Sequence, residues 1–219
     1  GRERGSLRGR GRTLFQKGFP FPPQSLTDDH RGQDMDRLSV INAALMKCGL
    51  PLAAALNDTD WGAAERFDAV TEQLLRAHAW NFATRYATLS KQGTPEHGYT
   101  QAYQVPADCL RVLDVRPGED ARSPQARFSV TGERLYCNIS PCNARYVARV
   151  LDPAAWPADF ADAVATRLAA EIAPLSAQSF GLGASLLQLA QLAFQQAQAS
   201  DAAEQRERLP AGSPYVAVR

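Results

Sequence analysis

The stretch that most constrains the fold is residues 172–200, IAPLSAQSFGLGASLLQLAQLAFQQAQAS. This run of 29 residues has no charged side chain but contains six glutamines. A membrane-spanning helix needs about 20 predominantly apolar residues, and six amides are unfavourable in hydrocarbon. The exposed side of a helix in water normally carries charged residues. We therefore expect this segment to lie against protein on more than one side, which points to assembly rather than catalysis.

Helical spacing predicts the last helix of the chain over about residues 183–206. Leu186, Leu189, Ala193 and Ala197 form one apolar stripe, and a second stripe lies beside it. Two stripes imply either one wide buried side or two packing partners.

Three further helices are predicted over about residues 36–48, 60–78 and 157–173. In each, apolar residues recur every three or four positions, the spacing of one side of a helix. Pro174 ends or kinks the third of them, since proline disrupts a helix interior. Its apolar stripe steps by four and consists of Phe160, Val164, Leu168 and Ile172.

Between these helices, over about residues 85–151, the apolar period changes from 3.6 to 2. Short alternating segments separated by local turns are typical of an antiparallel sheet. Residues 128–137 read as a hairpin with its turn at 131–134. The fold class that follows is α+β: a mainly α-helical four-helix bundle with an inserted small antiparallel β-sheet lobe and a C-terminal arm.

The two ends of the chain differ from this central part. Residues 1–34 are rich in Gly, Arg and Pro and carry a net charge of +3, whereas residues 35–219 carry −2. We interpret Met35 as the natural start and residues 1–34 as a non-native or disordered extension; the alternative is a basic arm that binds DNA. Residues 207–219 form a C-terminal tail after the domain at 35–206.

The sequence offers no convincing catalytic group, so we predict no enzyme activity, no cofactor and no metal site. The four cysteines lack zinc-ligand spacing and are expected to be reduced thiols. His78 falls on the apolar stripe of its helix, where a packed and hydrogen-bonded histidine is the default. Asp159 and Asp162 could be paired carboxylates for acid–base work, but acidic residues at a helix start are commonly there to stabilise its dipole.

Three stretches together resemble one family. They are residues 75–83, LRAHAWNFA; residues 103–112, YQVPADCLRV; and residues 145–150, RYVARV, followed by Asp152, Pro153, Trp156 and Phe160. They resemble the head–tail adaptor (connector) family of tailed phages, whose short-tailed members are called tail tubular protein A. The resemblance covers about residues 38–179.

This resemblance implies a helical bundle bearing a β lobe and a ring of copies, a dodecamer in the family. The ring would lie between the portal protein and a tail or nozzle protein and line the DNA exit channel, with only transient contact to passing DNA and none to a membrane. The subunit would belong to a phage or prophage virion and to the host bacterial cytoplasm before assembly. The tail would dock on the portal, with Tyr215 and Arg219 as anchors.

A ring subunit needs two different contact surfaces, because cyclic contacts are heterologous. We hypothesise that Gln188, Gln191 and Gln195 make amide contacts between subunits. A subunit that stays monomeric until it meets the portal is also compatible with the sequence. The alternative function is a nucleic-acid-binding regulator that uses the basic extension with a set of arginines, namely Arg85, Arg111, Arg145 and Arg149.

Overall fold

A computed structural model of the chain describes residue 1 and residues 35–58, 62–118, 123–176 and 180–204. All the helices and strands below lie in the unit Asp34–Arg219. The chain is α+β, with four helices and two three-stranded antiparallel sheets. The predicted extension at 1–34, apart from Gly1, and the predicted tail at 207–219 lie outside the described residues.

The four helices are α1 (Arg37–Lys47), α2 (Ala63–Ala77), α3 (Ala158–Ile172) and α4 (Phe180–Glu204). Asp36 fixes the start of α1, since its side chain accepts a hydrogen bond from the Ser39 N–H at 2.7 Å. The Ser39 hydroxyl in turn lies 3.1 Å from the Asp36 N–H, which completes a capping box.

The expectation of a four-helix bundle is wrong: α3 is a central helix against which α1, α2 and α4 each pack. The predicted stripe of α3, from Phe160 to Ile172, is buried, but so are the alanines on its other sides, including Ala163, Ala165 and Ala169. Small side chains let neighbours approach a helix from several directions. The extensive contacts of α4 are therefore with α3 and with the short 3-10 turn before it, Ala173–Ser176.

The strands form two sheets where the sequence predicted one small sheet. Their bounds are β1 (Thr84–Thr88), β2 (Gln101–Gln104), β3 (Cys109–Arg116), β4 (Phe128–Thr131), β5 (Arg134–Cys137) and β6 (Asn143–Ala148). One sheet has the order β1-β6-β3 and the other β2-β5-β4, with antiparallel pairing throughout. Gly132, at φ +60°, makes the turn between β4 and β5.

Two apolar cores hold the fold together. The smaller core joins the two sheets through residues such as Val115, Leu135 and Ala144. The larger core joins the helices and reaches the first sheet through Val147 of β6. At its centre the Trp80 ring contacts other aromatic rings, with centroids 4.9 Å from Phe160, 5.7 Å from Phe194 and 6.1 Å from Phe82.

Candidate functional site

One side of α4 is buried against the rest of the chain. Leu186, Ala190 and Ala197 are buried at helical spacing. Gly183 lies on the same side, where a methyl group added to its Cα would stand only 3.0 Å from Cγ of Pro174. Glycine and alanine thus bring α4 close to α3 and to the turn before it.

The opposite side of α4 is exposed and uncharged. Gln188, Gln191 and Gln195 are exposed and follow one another at intervals of three and four, so they lie along one stripe. Beside them the side chains of Leu189 and Leu192 are 53% and 61% exposed. We call these five residues the uncharged face of α4. The structure therefore brings together the three glutamines that the sequence singled out.

A groove runs along one edge of this face, with a volume of about 360 Å³. Lys47 at the end of α1 and Asp162 of α3 contribute its charges and bind each other at 3.0 Å. The remaining lining is mostly apolar and comes from Thr166, Leu186, Leu189, Leu192, Ala193 and Gln196. The exposed leucines thus border a concave surface and are not isolated on a convex one.

The last turn of α4 is attached to the end of α2 by hydrogen bonds. The Asp201 carboxylate is buried and accepts a hydrogen bond from the Asn81 N–H at 2.9 Å. Its other oxygen lies 3.1 Å from Nε2 of His78. The Asn81 amide donates to the Asp201 carbonyl at 2.8 Å. These bonds fix the rotation of α4 about its axis and so fix which side of it remains uncovered.

Several sequence-based assignments on α4 differ from the structure. Leu186 and Ala197 of the predicted apolar stripe are buried, but Leu189 is half-exposed. Within this chain only one side of α4 is covered, so the second packing partner is not among the described residues. The sequence analysis missed Leu192 and Asp201. Leu192 follows Gln188 by four positions, so helical spacing would have placed it on the exposed face.

The predicted portal-docking residues, Tyr215 and Arg219, lie outside the described residues. The same holds for the basic extension on which the nucleic-acid alternative depends.

The arginines of the nucleic-acid alternative do not form one basic surface. Nε of Arg145 binds Asp114 at 2.7 Å, and Arg149 binds a glutamate of α2. Arg85 donates to main-chain carbonyls, and Nε of Arg111 is buried. Because two of the four are neutralised by carboxylates, the set lacks the clustered positive charge that nucleic-acid binding requires.

The residues considered for catalysis lie apart and serve structural contacts. His78 is hydrogen-bonded as above, and Asp162 binds Lys47. Sγ of Cys137 lies 3.8 Å from Sγ of Cys142 and both thiols are free. Burial raises the pKa of Cys142 to about 12, which keeps it protonated and unreactive near neutral pH.

Two further findings apply to the described part of the chain. None of its helices is both long and apolar enough to cross a membrane. None of its His, Cys, Asp and Glu side chains form a group of three or more that could hold a metal ion.

Comparison with models of known protein families and with curated proteins gives no match. The family resemblance therefore rests on the quoted sequence stretches alone.

Proposed function

We propose that this chain is a structural head–tail adaptor subunit of a tailed phage or prophage. In this proposal copies form a ring between the portal protein and a tail or nozzle protein, and the ring lines the channel through which DNA leaves. The observation that carries the assembly part is the uncharged face of α4. The sequence stretches within residues 38–179 supply the family.

The composition of the uncharged face supports burial in an assembly. Full burial of a leucine side chain contributes about 1.5–3 kcal/mol, so Leu189 and Leu192 still hold roughly half of that free energy in reserve. A glutamine amide both donates and accepts hydrogen bonds, so amides on two copies can satisfy each other without burying a charge. Lysine or glutamate at the same positions would oppose burial.

The shape of the chain supports a heterologous contact. A ring requires that one surface of a subunit bind a different surface of its neighbour. The uncharged face lies on one helix at the outside of α3, and its groove offers a concave seat next to a convex row of glutamines. One subunit thus presents two adjoining but unlike surfaces.

The charge distribution is compatible with a channel. Residues 35–219 carry a net charge of −2, and Arg145 and Arg149 are paired with carboxylates. A channel wall that binds DNA only weakly allows it to pass, whereas clustered lysines and arginines would hold it.

The test is the solution mass of the full chain, alone and after mixing with the portal ring encoded in the same genome. We expect the mass to shift from that of a free subunit to that of a portal-bound ring. A chain that stays monomeric at high concentration and does not associate with the portal would contradict the proposal. Duplex DNA binding that falls steeply with salt would then favour the nucleic-acid alternative.

A variant pair separates the interface from the fold. Gln191→Glu places a charge on the uncharged face and is expected to abolish ring formation while leaving unfolding unchanged. The matched control is Gln73→Glu, which makes the same chemical change at an exposed position of α2. If Gln191→Glu assembles as well as Gln73→Glu, the uncharged face is not the subunit contact.

A further inference from the structure

β1 is the edge strand of its sheet, and its main-chain bonding pattern is set by its pairing with β6. The Leu89 N–H donates to the Cys142 carbonyl at 2.8 Å, and the Ala148 N–H donates to the Ala83 carbonyl at 2.8 Å. In an antiparallel pair, main-chain groups turn toward and away from the partner at alternate residues. The odd-numbered residues of β1 therefore face β6, and the even-numbered ones face away from it.

The even-numbered residues of β1 form an open edge. They are Thr84, Tyr86 and Thr88, and no other described strand pairs with them. The Thr84 carbonyl accepts a hydrogen bond from Nη1 of Arg85 at 3.2 Å, which occupies one end of the edge. Tyr86 and Thr88 thus leave main-chain donors and acceptors available, as a strand added to a sheet requires.

A cavity of about 460 Å³ lies beside this edge. Register pairing places Tyr86 opposite Arg145 and Thr88 opposite Asn143, so these side chains share one face of the sheet. The Tyr86 side chain is 77% exposed. The cavity thus begins at the open edge and extends over the polar face of the sheet.

The polar groups of the cavity are mainly donors. The buried Asp114 carboxylate accepts from Nε of Arg145 at 2.7 Å and from Nε of Arg116 at 3.1 Å, so two positive charges face one negative charge. The Asn143 carbonyl oxygen accepts from the Thr88 hydroxyl at 2.6 Å. The remaining capacity of Asn143 and of the Arg145 guanidinium is to donate, which suits an anionic acceptor.

We infer that the open edge of β1 binds an extended segment of a partner protein that carries an acidic side chain. The segment pairs with the main chain of Tyr86 and Thr88 as an added strand. A residue opposite Tyr86 lies on the same face as Arg145, and its carboxylate enters the cavity. The excess of one positive charge over Asp114 binds that carboxylate.

A peptide fits this site better than a nucleic acid. Main-chain pairing at a strand edge is available to an extended peptide and not to a sugar–phosphate backbone. The cavity also supplies a single net positive charge, which suffices for one carboxylate but falls short of the row of cations that tracks a chain of phosphates.

The probe is a fluorescein-labelled nine-residue peptide in which Thr and Glu alternate, titrated with the full chain. The same peptide with Gln in place of Glu tests the acidic requirement. A third version, N-methylated at alternate residues, cannot form the main-chain bonds. We expect the Glu peptide to bind at least tenfold more tightly than either of the other two.

The decisive variant is Asn143→Asp, which keeps the oxygen that accepts from Thr88 but adds a negative charge to the cavity. It is expected to weaken the Glu peptide about tenfold and to leave the Gln peptide unchanged. The matched control is Asn138→Asp, whose side-chain oxygen likewise accepts from Thr100 but lies in the other sheet. Unchanged thermal unfolding of both variants shows that the fold is kept.

Three results would overturn the inference. They are no binding of the Glu peptide at 1 mM order of concentration, equal binding of the N-methylated peptide, and equal effects of Asn143→Asp and Asn138→Asp. Binding of a duplex oligonucleotide that Asn143→Asp abolishes, without peptide binding, would assign the cavity to nucleic acid instead.

Discussion

Oδ2 of Asp201, in the last turn of α4, lies 3.1 Å from Nε2 of His78, the residue that ends α2. The two residues are 123 positions apart in sequence. Oδ1 of the same carboxylate accepts from the Asn81 N–H. One buried side chain thus connects the outermost helix to the junction between the helices and the first sheet.

We predict that Asp201→Ala lowers the free energy of unfolding by about 3 kcal/mol. The substitution leaves the Asn81 N–H and the His78 ring without their acceptor in a buried site, and each unsatisfied group costs about 1–3 kcal/mol. Urea unfolding of the full chain measures the change. The control is Glu204→Ala, an exposed acidic residue one turn away, for which a loss below 0.5 kcal/mol order is expected. Equal losses in the two variants would contradict the anchoring role.

The sequence predicted His78 as a packed, hydrogen-bonded residue but could not identify its partner. Periodicity reports which residues of a helix share a side, and on α4 apolar residues occupy nearly every side. The side that faces α3 is selected instead by close approach at Gly183 and by the bonds of Asp201. Both depend on residues distant in sequence.

The strand β1 was also missed as a separate element, although it fell at the edge of the predicted β lobe. Its five residues, TRYAT, have no large aliphatic side chain and only one aromatic, so the alternating pattern is weak. The hairpin of β4 and β5 was predictable because Gly132 marks its turn. The central position of α3 was not, because alanine fits equally well on a buried side and on an exposed one.

Gly183 gives a second prediction, about close packing. Alanine in a helix interior is favoured over glycine by about 1 kcal/mol, but here its methyl group would meet the Pro174 ring at 3.0 Å. We expect Gly183→Ala to be less stable than Gly181→Ala by about 1–2 kcal/mol, since Gly181 is exposed in the same helix. Chemical denaturation of both variants gives the difference. A more stable Gly183→Ala would show that α4 does not approach the turn this closely.

Cys142 gives a prediction about alkaline pH. Burial, with Cys137 beside it, raises the pKa of its thiol to about 12, whereas an unfolded thiol ionises near pH 8.5–9. Between about pH 9 and 12 the unfolded chain releases a proton that the folded chain keeps. The stability contribution of this thiol is therefore complete below about pH 9 and falls by about 1.4 kcal/mol per pH unit above it.

The measurement is the pH dependence of the unfolding free energy of the native chain and of Cys142→Ala. The variant is expected to have a shallower decline above pH 9, whatever its stability at neutral pH. Other groups that titrate in this range are common to both proteins and cancel in the comparison. Parallel declines would mean that the thiol is accessible to water in the folded chain.

Leu186 and Leu192 allow folding and assembly to be separated with the same substitution on one helix. Leu186 is 4% exposed and Leu192 is 61% exposed. Leu186→Ala removes buried contacts and is expected to lower the free energy of unfolding by about 3 kcal/mol, while Leu192→Ala should change it by less than about 0.5 kcal/mol. If the uncharged face binds another copy or the portal, Leu192→Ala must weaken that association because it removes apolar area that burial would take from water. Sedimentation of both variants under conditions where each is folded tests this. Weaker association in Leu186→Ala alone would place the contact elsewhere, and an effect of Leu192→Ala on unfolding as large as that of Leu186→Ala would mean that this side of α4 is covered within the chain itself.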